Sequence, residues 1–205
     1  MKKLLLLSCL VLAGLVTVSA QGLKGKWYGT AQLGYSETKT GDAKTSGYNV
    51  LPIVGTFVSP DATIGLAFGC INSTVKEGDV KKSNLNLFAV EPLARKYWNI
   101  SGPFFFFGQL AIPILSGKDG ETDWKYSQFG LGASAGFDIV IWKNVSIEFS
   151  YNIANLSLTT INPGEGLDKV KITNLQLAHI ANDAAGIEQV GLLTPLSFGI
   201  KFFLN

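Results

Sequence analysis

Few side chains in this 205-residue sequence have the type and spacing for chemistry. His179 is the sole histidine. A Ser–His or His–metal site would need an ordered set of partners around it. The neighbouring residues offer none, so His179 reads as a solvated loop side chain. A zinc site needs several His or Cys ligands, and Cys70 is the one further candidate once the leader described below is removed. Asp138 and Glu148 are the carboxylate pair that general acid–base work would use. Lys201 and Arg95 share their alternation pattern, so ion pairing accounts for them better. The glycines between 22 and 29 lack phosphate-loop spacing. No catalytic residue, metal or cofactor is expected.

The elements that position these groups begin after a leader. Lys2 and Lys3 precede an apolar run from Leu4 to Val16, and Val18-Ser19-Ala20 supplies small residues at a cleavage position. That is a secretory signal peptide over residues 1–20, with cleavage near Ala20/Gln21. The run is too short to span a bilayer as a helix. Cys9 in Leu6-Leu7-Ser8-Cys9 loosely resembles a lipid-attachment site, but cutting there would split the apolar run. Without Lys2 and Lys3 the acidic and basic residues balance. No basic excess is left to attract nucleic acid. Cys70 is then the sole cysteine, so an intramolecular disulfide is excluded.

Hydrophobic residues make up 47% of the chain, yet no later apolar run is long enough for a membrane helix. The 23 glycines interrupt most apolar stretches, which disfavours helices. Period-two alternation is clear instead. In Lys125 to Ile139 the odd positions carry Phe129, Leu131, Ala133, Ala135, Phe137 and Ile139. The even positions carry Gln128, Ser134, Asp138 and glycines. Val145 to Ile153 and Leu192 to Leu204 alternate in the same way. Trp27 to Ser36, Ala62 to Ile71 and Phe104 to Leu115 alternate less cleanly. Ser46 to Val58 and Asn84 to Tyr97 alternate poorly, and Pro52 and Pro92 imply a bulge or break in them.

Short turns follow the second, fourth and sixth segments, at Ser59 to Asp61, Asn99 to Gly102 and Trp142 to Asn144. Longer polar links are expected at Glu37 to Thr45, Asn72 to Ser83, Ser116 to Asp123 and Thr160 to Val190. Within the last, Lys169 to Ala178 alternates weakly and would extend the final hairpin. Strict alternation of short and long links fits short periplasmic turns and longer outer loops. The expected fold is all-β: an eight-stranded antiparallel up-and-down transmembrane β-barrel over residues 21–205. Under this topology Trp27, Trp98 and Trp142 fall at the short-turn end. Tyr35, Tyr48 and Trp124 fall at the other, as two interfacial girdles.

Lipid rather than water follows from the smaller, polar face. A soluble barrel turns its apolar side inward, whereas here the inward set would be polar. Gln32, Glu91, Arg95, Gln128, Asp138, Glu148 and Lys201 are the lumenal polar and ion-pairing candidates, with Thr30, Gln109, Ser134, Ser150 and Asn152 beside them. An eight-stranded lumen is narrow enough for side chains to fill.

Together these features resemble the outer-membrane β-barrel domain family of the OmpA/OmpX type. Ser197, Gly199, Phe202 and Leu204 match the order of that family's terminal assembly signal, although the chain ends one residue later at Asn205. Glu91-Pro92 through Arg95 to Tyr97-Trp98 also resembles a strand end common in such barrels. The resemblance implies an outer-membrane location and, as partners, outer-membrane lipid and the barrel-assembly machinery. A ligand or protein at residues 160–190 is a further expected partner; nucleic acid is not. The leading reading is a non-enzymatic structural or surface-interaction barrel. A narrow pore and an outer-leaflet lipid-modifying enzyme stand behind it.

Overall fold

The computed structural model describes residues 23–164, 167–177 and 196–204. The expected signal peptide, His179 and the stretch 178–195 lie outside them. Ten antiparallel strands form one sheet: β1 (Trp27–Thr40), β2 (Ala43–Ser59), β3 (Ala62–Glu77), β4 (Val80–Ser101), β5 (Phe104–Ala111), β6 (Ile114–Asp119), β7 (Lys125–Trp142), β8 (Val145–Asn162), β9 (Val170–Leu177) and β10 (Leu196–Leu204). The ring has eight positions because two of them are each shared by two strands. β5 and β6 lie end to end between β4 and β7. β9 and β10 lie end to end along β8. Closure comes from β1 on β10, with Trp27 opposite Leu204 and Thr30 opposite Lys201. A sheet closed this way leaves few backbone groups without partners, which is what hydrocarbon demands.

The short turns fall where expected, at residues 60–61, 102–103 and 143–144. Three of the expected long links are corrected, that at 116–123 because residues 116–119 are paired strand in β6. Residues 37–45 and 72–83 are mostly strand, closed by the two-residue turns Gly41-Asp42 and Gly78-Asp79. Gly41 (φ 60°) and Gly78 (φ 59°) hold the left-handed conformation that a tight hairpin turn needs at its first central position. The two tips touch, Gly78 N–H donating to Asp42 O at 2.9 Å.

The prolines act differently from expectation. Pro52 interrupts the β2–β3 ladder without shifting its register, since Val50 pairs with Cys70 and Ile53 with Ala67. Pro92 stays in the ladder opposite Leu66. Its carbonyl accepts from Ile112 N–H at 2.9 Å. The break falls instead at Ile112-Pro113, splitting β5 from β6, because proline has no N–H to give the ladder. A register shift near Ile153 resets the alternation of β8, so that Asn155 and Ser157 face inward beyond it.

The outer wall is apolar. Phe129, Leu131 and Phe137 on β7, Ile64, Leu66 and Phe68 on β3, and Phe198, Ile200, Phe202 and Leu204 on β10 are all exposed. From Phe129 to Ile139 the outward row rises roughly 33 Å at about 3.3 Å per residue. A tilt of ~40° reduces this to about 25 Å, the height of a bilayer's apolar band. Exposed Trp27, Trp98 and Trp142 stand at the short-turn end. Exposed Tyr35 and Tyr48 pair directly across β1 and β2 at the hairpin end.

Candidate functional site

The lumen has two storeys. The lower one, toward the short turns, is an ion-paired plug. Arg95 on β4 faces Glu148 on β8 in a forked pair, with Nη1 donating to Oε2 at 2.6 Å and Nη2 to Oε1 at 3.3 Å. Its Nε donates to Gln109 Oε1 on β5. Lys201 on β10 donates to Tyr97 Oη at 3.1 Å and pairs with Glu148 Oε2 at 3.0 Å. Lys201 also pairs with Asp138 on β7. Two cations and two anions thus cancel. Both cations are almost wholly buried, Arg95 at 2% and Lys201 at 0% exposure. At that depth each charge needs a partner, since an unpaired buried charge costs several kcal/mol; Asp138 still keeps one oxygen, Oδ1, buried without a hydrogen bond.

Aromatic rings pack around these charges. Arg95 lies over Phe107 at 4.7 Å, and Lys201 over Tyr97 at 5.2 Å and Tyr28 at 5.5 Å. Phe57 stacks on Tyr97 at 5.9 Å and lies 6.1 Å from Phe203. Ile53, Leu93 and Phe105 complete the cluster. Glycines make room for it. A Cβ on Gly55 would run into the Tyr28 ring, and one on Gly65 would sit 2.9 Å from its hydroxyl. A Cβ on Gly199 would meet Glu148 Cγ at 3.1 Å and Thr30 Oγ1 at 3.2 Å. The expected polar interior is therefore corrected: the lower storey is largely aromatic, with the charges threaded through it.

The upper storey is a polar chamber of about 50 Å³. Gln32, Glu91, Gln109, Gln128, Ser134 and Ser150 are among the residues lining it. Gln128 is held by Thr159 Oγ1, which donates to its Oε1 at 3.2 Å. The sequence grouped Glu91 with the ion pairs, and the structure separates it. Its carboxylate makes no hydrogen bond or ion pair among the described residues, although Arg95 is on the same strand and face. All seven lumenal candidates face inward, then, but in two groups: Arg95, Asp138, Glu148 and Lys201 below, Gln32, Glu91 and Gln128 above. Of the expected assembly signal, Gly199 faces the plug while Phe202 and Leu204 face outward.

What the residue reading missed was the inward aromatics. Strand parity held the signal. Tyr28 shares its face with Thr30, Tyr97 with Arg95, Phe107 with Gln109 and Phe203 with Lys201. Above the chamber, at the hairpin end, Asp119 fixes the β6–β7 turn. Burial alone would raise its carboxyl's pKa. Donation from Ser83 Oγ and from the backbone N–H of Glu121, Asn84 and Thr122 outweighs that and holds it below the usual range. No group of three His, Cys, Asp or Glu side chains gathers at metal-binding range among the described residues. Cys70 is exposed on the outer wall.

A family model described as outer membrane protein beta-barrel domain matches residues 6–178. The fold is similar to that in the crystal structure of the outer membrane protein OprG from Pseudomonas aeruginosa. That likeness covers 92% of this chain and 100% of the other, at 13% sequence identity and a TM-score of 0.51. At this identity it is a likeness of fold. No curated protein matches the sequence.

Proposed function

Because the chain belongs to the outer membrane protein beta-barrel domain family, we propose that it is a non-enzymatic outer-membrane barrel with a structural or surface-interaction role. The observation that carries this reading is the plug. Arg95, Glu148, Lys201 and Asp138 join β4, β7, β8 and β10 across the lumen, and aromatic rings fill the space between them. Among the described residues, a lumen filled in this way supports a closed lower end over an open path for ions. The short turns face the periplasm in this reading, and the β1–β2 and β3–β4 hairpins rise outside.

The hairpins supply the surface. Above the apolar band the outward row of β3 changes from Phe68 and Cys70 to Asn72 and Thr74. Asn72 Nδ2 donates to Asn86 Oδ1 at 2.8 Å and to Asn84 Oδ1 at 3.2 Å, giving this hairpin a polar ladder. On the neighbouring hairpin Lys44 pairs with Glu37 at 2.9 Å. Such a rigid, charged rim suits contact with partners in the medium. Planar-bilayer recording tests the role. The purified barrel is expected to insert without conductance steps; stable ohmic steps would replace this reading with the narrow pore.

A further inference from the structure

The chamber above the plug holds a carboxylate that the fold leaves without a partner. Burying a charge is unfavourable unless something compensates it. The plug shows how this protein compensates elsewhere, with each anion given a cation. Glu91 is the exception: it is largely enclosed by the barrel wall, points into the chamber and has no hydrogen bond or ion pair among the described residues. The one cation close along its own strand, Arg95, is already committed to Glu148 and Gln109. The plug below is neutral as a unit, so Glu91, when ionised, is the one uncompensated charge in the chamber.

The surroundings of Glu91 are also unspent. The Gln32 amide and the Ser134 and Ser150 hydroxyls line the same space and make no side-chain hydrogen bonds among the described residues. These groups offer oxygen acceptors beside the carboxylate. The chamber's 50 Å³ is several times the ~10–15 Å³ that one water needs. A lone carboxylate with neutral oxygens matches a single positive charge. A calcium-type site takes six to eight oxygens and usually several carboxylates, which the chamber does not offer.

We propose that the chamber is a binding site for one small singly charged cation, either an ammonium group or an alkali metal ion, with Glu91 as its counter-ion. Gln32, Ser134 and Ser150 supply the remaining oxygens. This goes beyond the structural role and does not depend on it, because binding at equilibrium requires no passage through the plug.

The test uses the intact, folded barrel in a non-ionic detergent. Methylammonium chloride and potassium chloride are titrated separately at constant ionic strength, with choline chloride as the balancing salt. Calorimetry reads the affinity, and backbone amide shifts of Gln32, Glu91 and Ser134 read the place. The expected result is saturable binding of methylammonium, of potassium or of both. The two arms then identify the source of the charge, and Glu91→Gln weakens binding at least tenfold. A Ser134→Ala variant, which removes one oxygen and keeps the charge, is expected to weaken it by less. Absence of saturable binding in both arms overturns the proposal. So does equal affinity in wild type and Glu91→Gln, or shifts confined to surface carboxylates. Silence or current in a bilayer leaves this result unaffected, so failure here is distinct from failure of the structural reading.

Discussion

The two storeys of the lumen are built on the same strands, a few residues apart. On β4 Arg95 belongs to the plug and Glu91 to the chamber. On β7 the same division separates Asp138 from Ser134, and on β8 Glu148 from Ser150. Backbone pairing runs past both levels of the β7–β8 ladder, with one shift near Ile153 and another between Val140 and Trp142. The difference therefore lies in what the inward side chains find. Below, two cations and two anions pair with one another and aromatic rings pack around them. Above, amides and hydroxyls surround a solitary carboxylate and leave space. A barrel wall supplies only height and direction; complementarity across the lumen decides whether a level becomes a wall or a cup.

Breaking the lower storey carries the largest expected effect. Arg95→Ala leaves Glu148 buried with Lys201 as its one cation partner. Removal of one member of a buried pair typically costs about 3–5 kcal/mol. Urea titration of barrels folded into vesicles is expected to show a loss of that size, and an unchanged midpoint would mean that the plug is not rigid. The contrast between inside and outside is sharpened by Leu131→Arg, a charge on the lipid face of β7 at a level where the lumen accepts polar groups. It should cost roughly 2–4 kcal/mol in the same titration. A neutral outcome would place that face in water.

Smaller changes probe the fit of each storey. Gly55→Ala pushes a methyl group into the Tyr28 ring, an overpacking that costs about 1–3 kcal/mol. Gly29→Ala on the adjacent strand, where an added Cβ has open space, is the control and should be close to neutral. The smallest effect is at the hairpin end. Asp119 has a pKa below its ordinary value in the folded protein, so its contribution is present above the ordinary value of 3.8 and is lost as pH falls through the lowered one. Amide hydrogen exchange at Glu121 and Thr122 should accelerate on acidification through that window. Asp119→Ala should show the faster exchange already at neutral pH.

Much of the wall was legible from residue order. Lys125 to Ile139 alternates cleanly because its outer face needs only apolar bulk and its inner face is small or polar. The closing strand reads the same way from Phe198 to Leu204. The plug was legible only in part. Arg95, Asp138, Glu148 and Lys201 stood out as charges on inward positions. Tyr28, Phe57 and Tyr97 did not, because strands with apolar residues on both faces lose the alternation that reveals direction; Leu51 and Ile53 face inward while Val50 and Val54 face lipid. The hairpin tips were misjudged because polar strands above a membrane look like loops. The Gly-Asp pairs at 41–42 and 78–79 were the available signal. The isolation of Glu91 had no local signature at all, since its separation from Arg95 depends on where Glu148 and Gln109 arrive from other strands.

The central claim is that one storey is locked by ion pairing and the other is not. The most direct measurement is the unfolding free energy of Glu148→Gln and Glu91→Gln, side by side in the same vesicles. Each change removes one negative charge and keeps the side chain's shape. A loss of about 3 kcal/mol or more for Glu148→Gln, with no loss for Glu91→Gln, whose charge has no partner to forfeit, is the predicted result. Equal losses in the two variants would contradict the division of the lumen.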